Sequence, residues 1–304
     1  MSEGTPVCVG AFPMPGALVE DAEGSRVPEG FPPVVDAHVH LFPDRVFEAI
    51  WRWFTAHGWP IRYPLRSSEV IAFQKARGVS GMVALTYAHT AGMARALNAY
   101  MAEIVASDPF VTGLGTVLPG EPDAVGIVEE AFAMGLSGIK LHCHVQCFSP
   151  DDEALEGIYD ACARHGKPIV VHAGREPKSA AYKCDPHALC SAERTRRVLE
   201  RHPRLTLVVP HLGADEYDAY LALLERYDNL WLDTTMVLAD YFGARPSPLF
   251  FARPERILYG TDFPNLPYAW DRELVRLEAH GVKEHDLPAI LGENTRRLYG
   301  LGPI

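Results

Sequence analysis

The sequence predicts one (β/α)8 TIM barrel carrying a short irregular or hairpin N-terminal arm, and three observations support this. From Val34 onward, short apolar runs alternate with amphipathic stretches over about 270 residues, the rhythm of parallel strands joined by helical crossovers. Eight such runs can be read, and eight strands in this length suit a closed barrel better than an open sheet. No Gly-x-Gly-x-x-Gly follows the first run, which weakens a dinucleotide-binding open sheet.

In chain order, the first segment is an arm over 1–33, rich in Gly and Pro. There Gly16-Ala17-Leu18-Val19 and Ser25-Arg26-Val27 flank an acidic stretch, a pattern shared by a small hairpin, an ordered arm and a disordered tail. The barrel follows over 34–304. Strands are expected over 34–39, 81–85, 111–117, 138–141, 169–171, 205–209, 230–232 and 257–258. Helices are expected over 46–56, 91–106, 124–134, 153–165, 192–201, 215–227 and 272–280. Asp151 and Ser191 suit N-caps, and Gly135 and Gly166 stand where helix ends need a residue tolerant of positive φ.

Composition narrows the function. At 304 residues the chain can bury a large core, and 48% hydrophobic with 22% charged content is ordinary for a soluble globular protein. A formal net charge of -11 argues against a nucleic-acid or acidic-membrane binder, either of which needs a basic face. The expectation is a small-molecule substrate with no nucleic-acid or membrane partner. No apolar run is long enough to span a bilayer, and the start lacks the basic and apolar blocks of a secretory signal. Six cysteines in a chain this long read as free thiols in a reducing cytoplasm.

A barrel gathers its chemistry at the C-terminal ends of its strands, so those ends are the place to look. Strand one closes on Asp36-Ala37-His38-Val39-His40, and the two-residue repeat of a strand puts both imidazoles on one face. Strand four ends Gly138-Ile139-Lys140-Leu141-His142, and strand five ends Val170-Val171-His172. Strand six runs into Pro210-His211-Leu212-Gly213, and strand eight into Gly260-Thr261-Asp262-Phe263-Pro264. Taken singly, each has a plain structural reading as a core histidine, a cap or an ion-pair partner. Taken together they need five separate plain readings. His38, His40, His172 and Asp262 suffice to hold one divalent ion with space for water. Such an ion brings the pKa of its water toward roughly 7. Asp262 is then placed to accept the water's proton, while His211 polarises the substrate oxygen or donates to the leaving group.

Those five motifs resemble the amidohydrolase superfamily, in its "amidohydrolase 2" branch, which includes aminocarboxymuconate-semialdehyde decarboxylase. Leu291-Gly292-Glu293-Asn294-Thr295-Arg296-Arg297-Leu298-Tyr299-Gly300 is similar to that branch's closing helix. By position, the resemblance implies that His38, His40, His172 and Asp262 bind one ion, Zn2+ ahead of Mn2+, with His211 catalytic. It also implies that Lys140 accompanies a mononuclear site rather than bridging two metals, and relatives are often homodimers.

Further groups invite a substrate, Lys140 at the end of strand four among them. His142 and Gln146, in His142-Cys143-His144-Val145-Gln146-Cys147, suit a pocket wall, and Arg175 suits a carboxylate clamp, or else a surface pair with Glu176. Cys184-Asp185-Pro186-His187-Ala188-Leu189-Cys190 offers only three ligands, so a loop with buried thiols is preferred to a zinc knot. Trp51, Trp53, Phe54 and Trp59 serve equally as core or as a lid. The leading expectation is a metal-dependent hydrolase of a small amide, lactone or ester. Its rivals are a metal-dependent non-oxidative decarboxylase of a small aromatic or unsaturated acid, and a catalytically inactive binding barrel.

Overall fold

The computed structural model describes residues 18–175, 179–241 and 245–302. Its strands are β1 (Val35–His40), β2 (Gly81–Leu85), β3 (Val111–Gly113), β4 (Ile139–His142), β5 (Ile169–His172), β6 (Leu207–Val209), β7 (Leu230–Asp233) and β8 (Ile257–Leu258). Neighbours pair in parallel throughout, β1 to β3 in one run and β4 to β8 in another. Parallel bridges at Gly115–Ile139 and Val39–Phe263 join the two runs at both edges, which closes the barrel. Every strand residue is buried. That is why these segments read as continuous apolar runs rather than as alternating ones.

The helices are α1 (Asp44–His57), α2 (Ser67–Ala76), α3 (Ala94–Ser107), α4 (Ala124–Ala133), α5 (Cys143–Gln146), α6 (Glu156–His165), α7 (Pro186–Leu189), α8 (Ala192–Arg201), α9 (Tyr217–Arg226) and α10 (Asn294–Tyr299). Ser191 caps α8 as expected, its side chain accepting from Arg194 N. Gly166 ends α6 at φ 60°, where a side chain would be strained. Asp152, not Asp151, caps the turn that leads into α6. Asp151 instead accepts from Arg194 and Arg197, tying that turn to α8. The stretch expected as a helix over 272–280 is a pair of 3-10 turns, Leu274–Arg276 and Glu278–His280.

The barrel interior is filled by Ala37, Val83, Leu114, Val170, Val208, Trp231 and Leu258, with Tyr299 of α10 packed on them. Val170 and Trp231 lie two residues before His172 and Asp233 on their strands, so this apolar layer sits beneath the polar ends. The described part of the arm, 18–33, contains no strand. It is an irregular segment held to the barrel by Val19 N to Pro267 O (2.8 Å), Val27 N to Arg77 O (2.8 Å) and the Trp270 indole to Gly24 O (2.8 Å). Asp21 anchors it further by accepting from Arg62 and Arg272. Residues 1–17 of the arm lie outside the described residues.

Candidate metal centre and active site

The histidines meet because their strands end at one level. The register of β4 on β5 sets His142 opposite His172, and the rings stack at 4.1 Å between centroids. The His172 ring lies 4.5 Å from that of His211, His211 lies 5.8 Å from His38, and His38 lies 5.2 Å from His40. Gly260 lets β8 come close behind them: a Cβ there would stand 2.8 Å from His38 Cβ.

His38, His40 and Asp262 form a buried cluster whose ligand atoms all lie within 4.8 Å of one another. His40 Nε2 is 2.9 Å from Asp262 Oδ1, and His38 Nε2 is 3.4 Å from the same oxygen. Burial, and after it the nearby charge of Lys140, pushes the His38 pKa down to about 4. His38 is therefore neutral at pH 7, and its Nδ1–H donates to Asp233 Oδ2 at 2.9 Å. This assigns the lone pair to Nε2, which is buried and makes no hydrogen bond among the described residues. Burial opposes ionisation of Asp262, but the charge and hydrogen bond of His40 outweigh it and draw the carboxyl down to about 2. Two imidazoles and one ionised carboxylate, converging in a buried site, are a donor set consistent with a divalent metal.

Asp233 ties this cluster to the next group. One of its oxygens holds His38, and the other accepts from His211 N at 3.1 Å and Thr235 N at 3.2 Å. Burial works against its charge, yet His38 and these donors keep it well below the usual carboxylate range. His211 sits at φ 58°, in the left-handed region, and donates Nδ1–H to Thr235 O at 2.9 Å. Its Nε2 is buried with no hydrogen-bond partner among the described residues. Asp233 is legible in the sequence as the residue just past the apolar run 230–232, one of three strand ends, with those of β2 and β3, that carry no motif above.

Above the cluster opens a cavity of about 510 Å³. His40, His142, His172, His211 and Asp262 line its floor. Trp53, Phe54 and Trp59 from the segment after β1, with Tyr87, Met93 and Tyr182, make its walls, and Arg45 and Lys183 line it as exposed cations. Trp51 does not join them; it stacks on Phe47 at 5.4 Å. The aromatic set thus divides, with one ring in the core and three at the cavity. His89 and His144 also line the cavity. Burial, with help from Lys183, pushes the His89 pKa down to about 4.

Of the four side chains expected at substrate, the structure brings only His142 to the cavity lining. Lys140 is wholly buried within β4. Gln146 spends both ends of its amide, accepting from His142 N at 2.8 Å and donating to Val117 O at 2.8 Å, so it positions the end of β4. Arg175 turns to Asp215 at 2.7 Å and Glu216 at 3.4 Å, and the cations at the cavity are Arg45 and Lys183 instead. Glu176, its expected surface partner, lies outside the described residues. Cys184, His187 and Cys190 do not converge on a metal position among the described residues.

The comparisons agree with this architecture. The sequence profile described as amidohydrolase matches residues 35–301, nearly the whole chain. No curated protein matches by sequence. Among solved structures, an uncharacterised TIM-barrel protein from Bordetella bronchiseptica is similar at 20% identity and a TM-score of 0.69, over 89% of this chain and 99% of that one. The 5-carboxyvanillate decarboxylase of Sphingomonas paucimobilis is similar at 17% identity and a TM-score of 0.63, over 88% and 99%. A 2,6-dihydroxybenzoate decarboxylase, solved with 2,6-dihydroxybenzoate, is similar at 16% identity and 0.63, over 88% and 98%. With its barrel, its buried His-His-Asp cluster and a profile match over most of its length, the chain belongs to the amidohydrolase superfamily, in the amidohydrolase 2 branch.

Proposed function

We propose that this protein is a metal-dependent, non-oxidative decarboxylase of a small aromatic or unsaturated carboxylic acid. The cavity lining carries the reading. Its walls are rings and aliphatic carbon, suited to a flat apolar body, and its cations Arg45 and Lys183 have no carboxylate partner among the described residues. Among the described residues the one carboxylate in the lining, Asp262, is already held by His40. An acid entering here meets positive charge without a competing anion. The 5-carboxyvanillate and 2,6-dihydroxybenzoate decarboxylases among the solved neighbours act on aromatic acids by their names, which supports the same choice.

His38, His40, His172 and Asp262 would hold the ion, Zn2+ ahead of Mn2+. When bound, it supplies a Lewis acid for the substrate's oxygens. Arg45 and Lys183 draw the acid in, and the aromatic walls orient the ring and exclude water. Asp262, ionised, is the proton acceptor of the site, whereas His211, whose Nδ1–H is held by Thr235 O, takes a proton from solvent on Nε2 and passes it to carbon. The carbon–carbon bond breaks with release of carbon dioxide, and its electron pair takes that proton.

Hydrolysis of an amide, lactone or ester, the first expectation from sequence, is the second reading. It rests on the ionised state of Asp262, which suits a base for water. A panel of small aromatic and unsaturated acids, esters and lactones separates the two. The decarboxylase reading expects one carbon dioxide per product, with the carboxyl replaced by hydrogen. Acid release from esters or lactones without carbon dioxide overturns it in favour of hydrolysis. An inactive barrel would instead show less than about 0.1 metal per chain after growth with zinc and manganese.

A further inference from the structure

Two cysteine motifs remain outside this chemistry, and the fold brings them together. Cys143 and Cys147 bracket α5, while Cys184 and Cys190 bracket α7 in the loop after β5. Cys147 Sγ and Cys184 Sγ both donate to a single carbonyl oxygen, His144 O, at 3.8 and 3.2 Å, so the two sulfurs share one acceptor and stand as neighbours. Cys143 and Cys190 are a second pair of neighbours, but both are fully buried. The first pair is reachable, with Cys147 exposed and Cys184 half-buried.

We propose that Cys147 and Cys184 are an oxidation site that forms an intrachain disulfide under peroxide, fastening together two walls of the active-site cavity. His144 and Val145 of α5 line one wall, and Ala181, Tyr182 and Lys183, just before Cys184, line the other. In the reduced chain the walls meet here through weak thiol contacts, so a covalent bond changes how the second wall moves. The exposed Cys147 reacts first. Its thiolate attacks one peroxide oxygen, the O–O bond breaks, and a sulfenic acid and hydroxide form. The Cys184 sulfur then attacks the sulfenic sulfur, the S–OH bond breaks, and the departing hydroxide takes the Cys184 proton to leave as water. In sum, two thiols lose two electrons and one hydrogen peroxide becomes two waters. Burial and the neighbouring Cys147 thiol push the Cys184 thiol up to about 12, which makes it the resolving partner rather than the first to react.

The test treats the full-length chain with hydrogen peroxide, then counts thiols in denaturant and maps peptides without reduction. The expected result is two thiols fewer than the six of the untreated chain, and one Cys147–Cys184 linked peptide that dithiothreitol removes. Hydrogen exchange over 179–190 should slow in the oxidised chain and recover on reduction. Cys184→Ser should stop at a Cys147 sulfenic acid trapped by dimedone, whereas Cys162→Ser should behave as the natural chain. A full count of thiols, a Cys143–Cys190 link, a link between chains, or unchanged exchange over 179–190 would each overturn the proposal. If Cys184→Ser does not fold, the peptide map of the natural chain decides alone. The outcome is independent of whether the enzyme decarboxylates or hydrolyses.

Discussion

The floor and the walls of the cavity are built by different means. The floor is built at strand ends: His40 ends β1, His142 ends β4 and His172 ends β5, the last two opposite each other in the ladder, and His211 and Asp262 follow β6 and β8. The walls come from the connections, with Trp53 and Phe54 on α1, Trp59 after it, and Tyr182 and Lys183 in the loop after β5. A rigid floor with a replaceable wall lets one set of ligands serve several reactions. On the proposed function, metal binding and proton handling belong to the floor, and substrate choice to the walls.

Floor substitutions should therefore abolish turnover, and the largest effect belongs to Asp262. Asp262→Asn keeps an oxygen near His40 but removes the charge that accepts a proton, so kcat should fall by roughly 1,000-fold or more. Metal content, measured by mass spectrometry of the purified chain, should fall much less. Near-normal turnover would remove Asp262 from its role. His38→Ala and His40→Ala should show the reverse balance, with metal falling below about 0.1 per chain and activity lost along with it.

Asp233→Asn tests the layer beneath. His38 keeps a neighbour there but loses the carboxylate that fixes its tautomer and supports its basicity. Metal affinity should weaken by about 10- to 100-fold, with near-ultraviolet circular dichroism unchanged. An unaltered affinity would mean that the position of His38 does not depend on Asp233.

This division also explains what could be read from the chain in advance. All eight strands stand out because two-sided burial makes each an apolar run, and a histidine or aspartate that breaks such a run is conspicuous. Loop residues obey no such period. Arg175 looked the better clamp because it follows His172 closely, but its neighbours Asp215 and Glu216, 40 residues on, claim it. Arg45, on the first turn of α1, resembles any exposed helical arginine until the fold turns it to the cavity. Helix α2 went unread because Val70, Ile71 and Phe73 suit a strand equally well. Its start is secured by Glu69 accepting from Arg66 N at 2.8 Å, a local signal that periodicity does not register.

Wall substitutions should change substrate use without touching the metal. Arg45→Ala and Lys183→Ala should each raise KM for an acid substrate by about tenfold, with kcat within about threefold and metal content unchanged. An equal effect on a neutral ester would show that these cations do not read the carboxylate. A fall in kcat with KM unchanged would move them from the wall to the reacting atoms.

The smallest expected effect lies deepest, where β1 is tied to β8. Asp36 accepts from Thr261 Oγ1 at 2.6 Å, Gln74 Nε2 at 2.9 Å, His38 N at 3.1 Å and Thr261 N at 3.2 Å, and burial still pushes its pKa up to about 7. Between its unfolded value near 4 and about 7, the folded chain keeps a proton on Asp36 that the unfolded chain has released. Unfolding in that window releases the proton, so the contribution of Asp36 to stability falls as pH rises and is lost by the time pH passes about 7. Asp36→Asn has no proton to lose. Its absolute stability will differ because an amide cannot accept all the same bonds, but the slope of that stability against pH isolates the titration. In the metal-free chain, denaturant midpoints from pH 4 to 7 should fall less steeply for Asp36→Asn than for the natural protein. Parallel slopes would mean that Asp36 is ionised across the range, its four donors outweighing its burial, and would make the strut beneath the floor an anionic one.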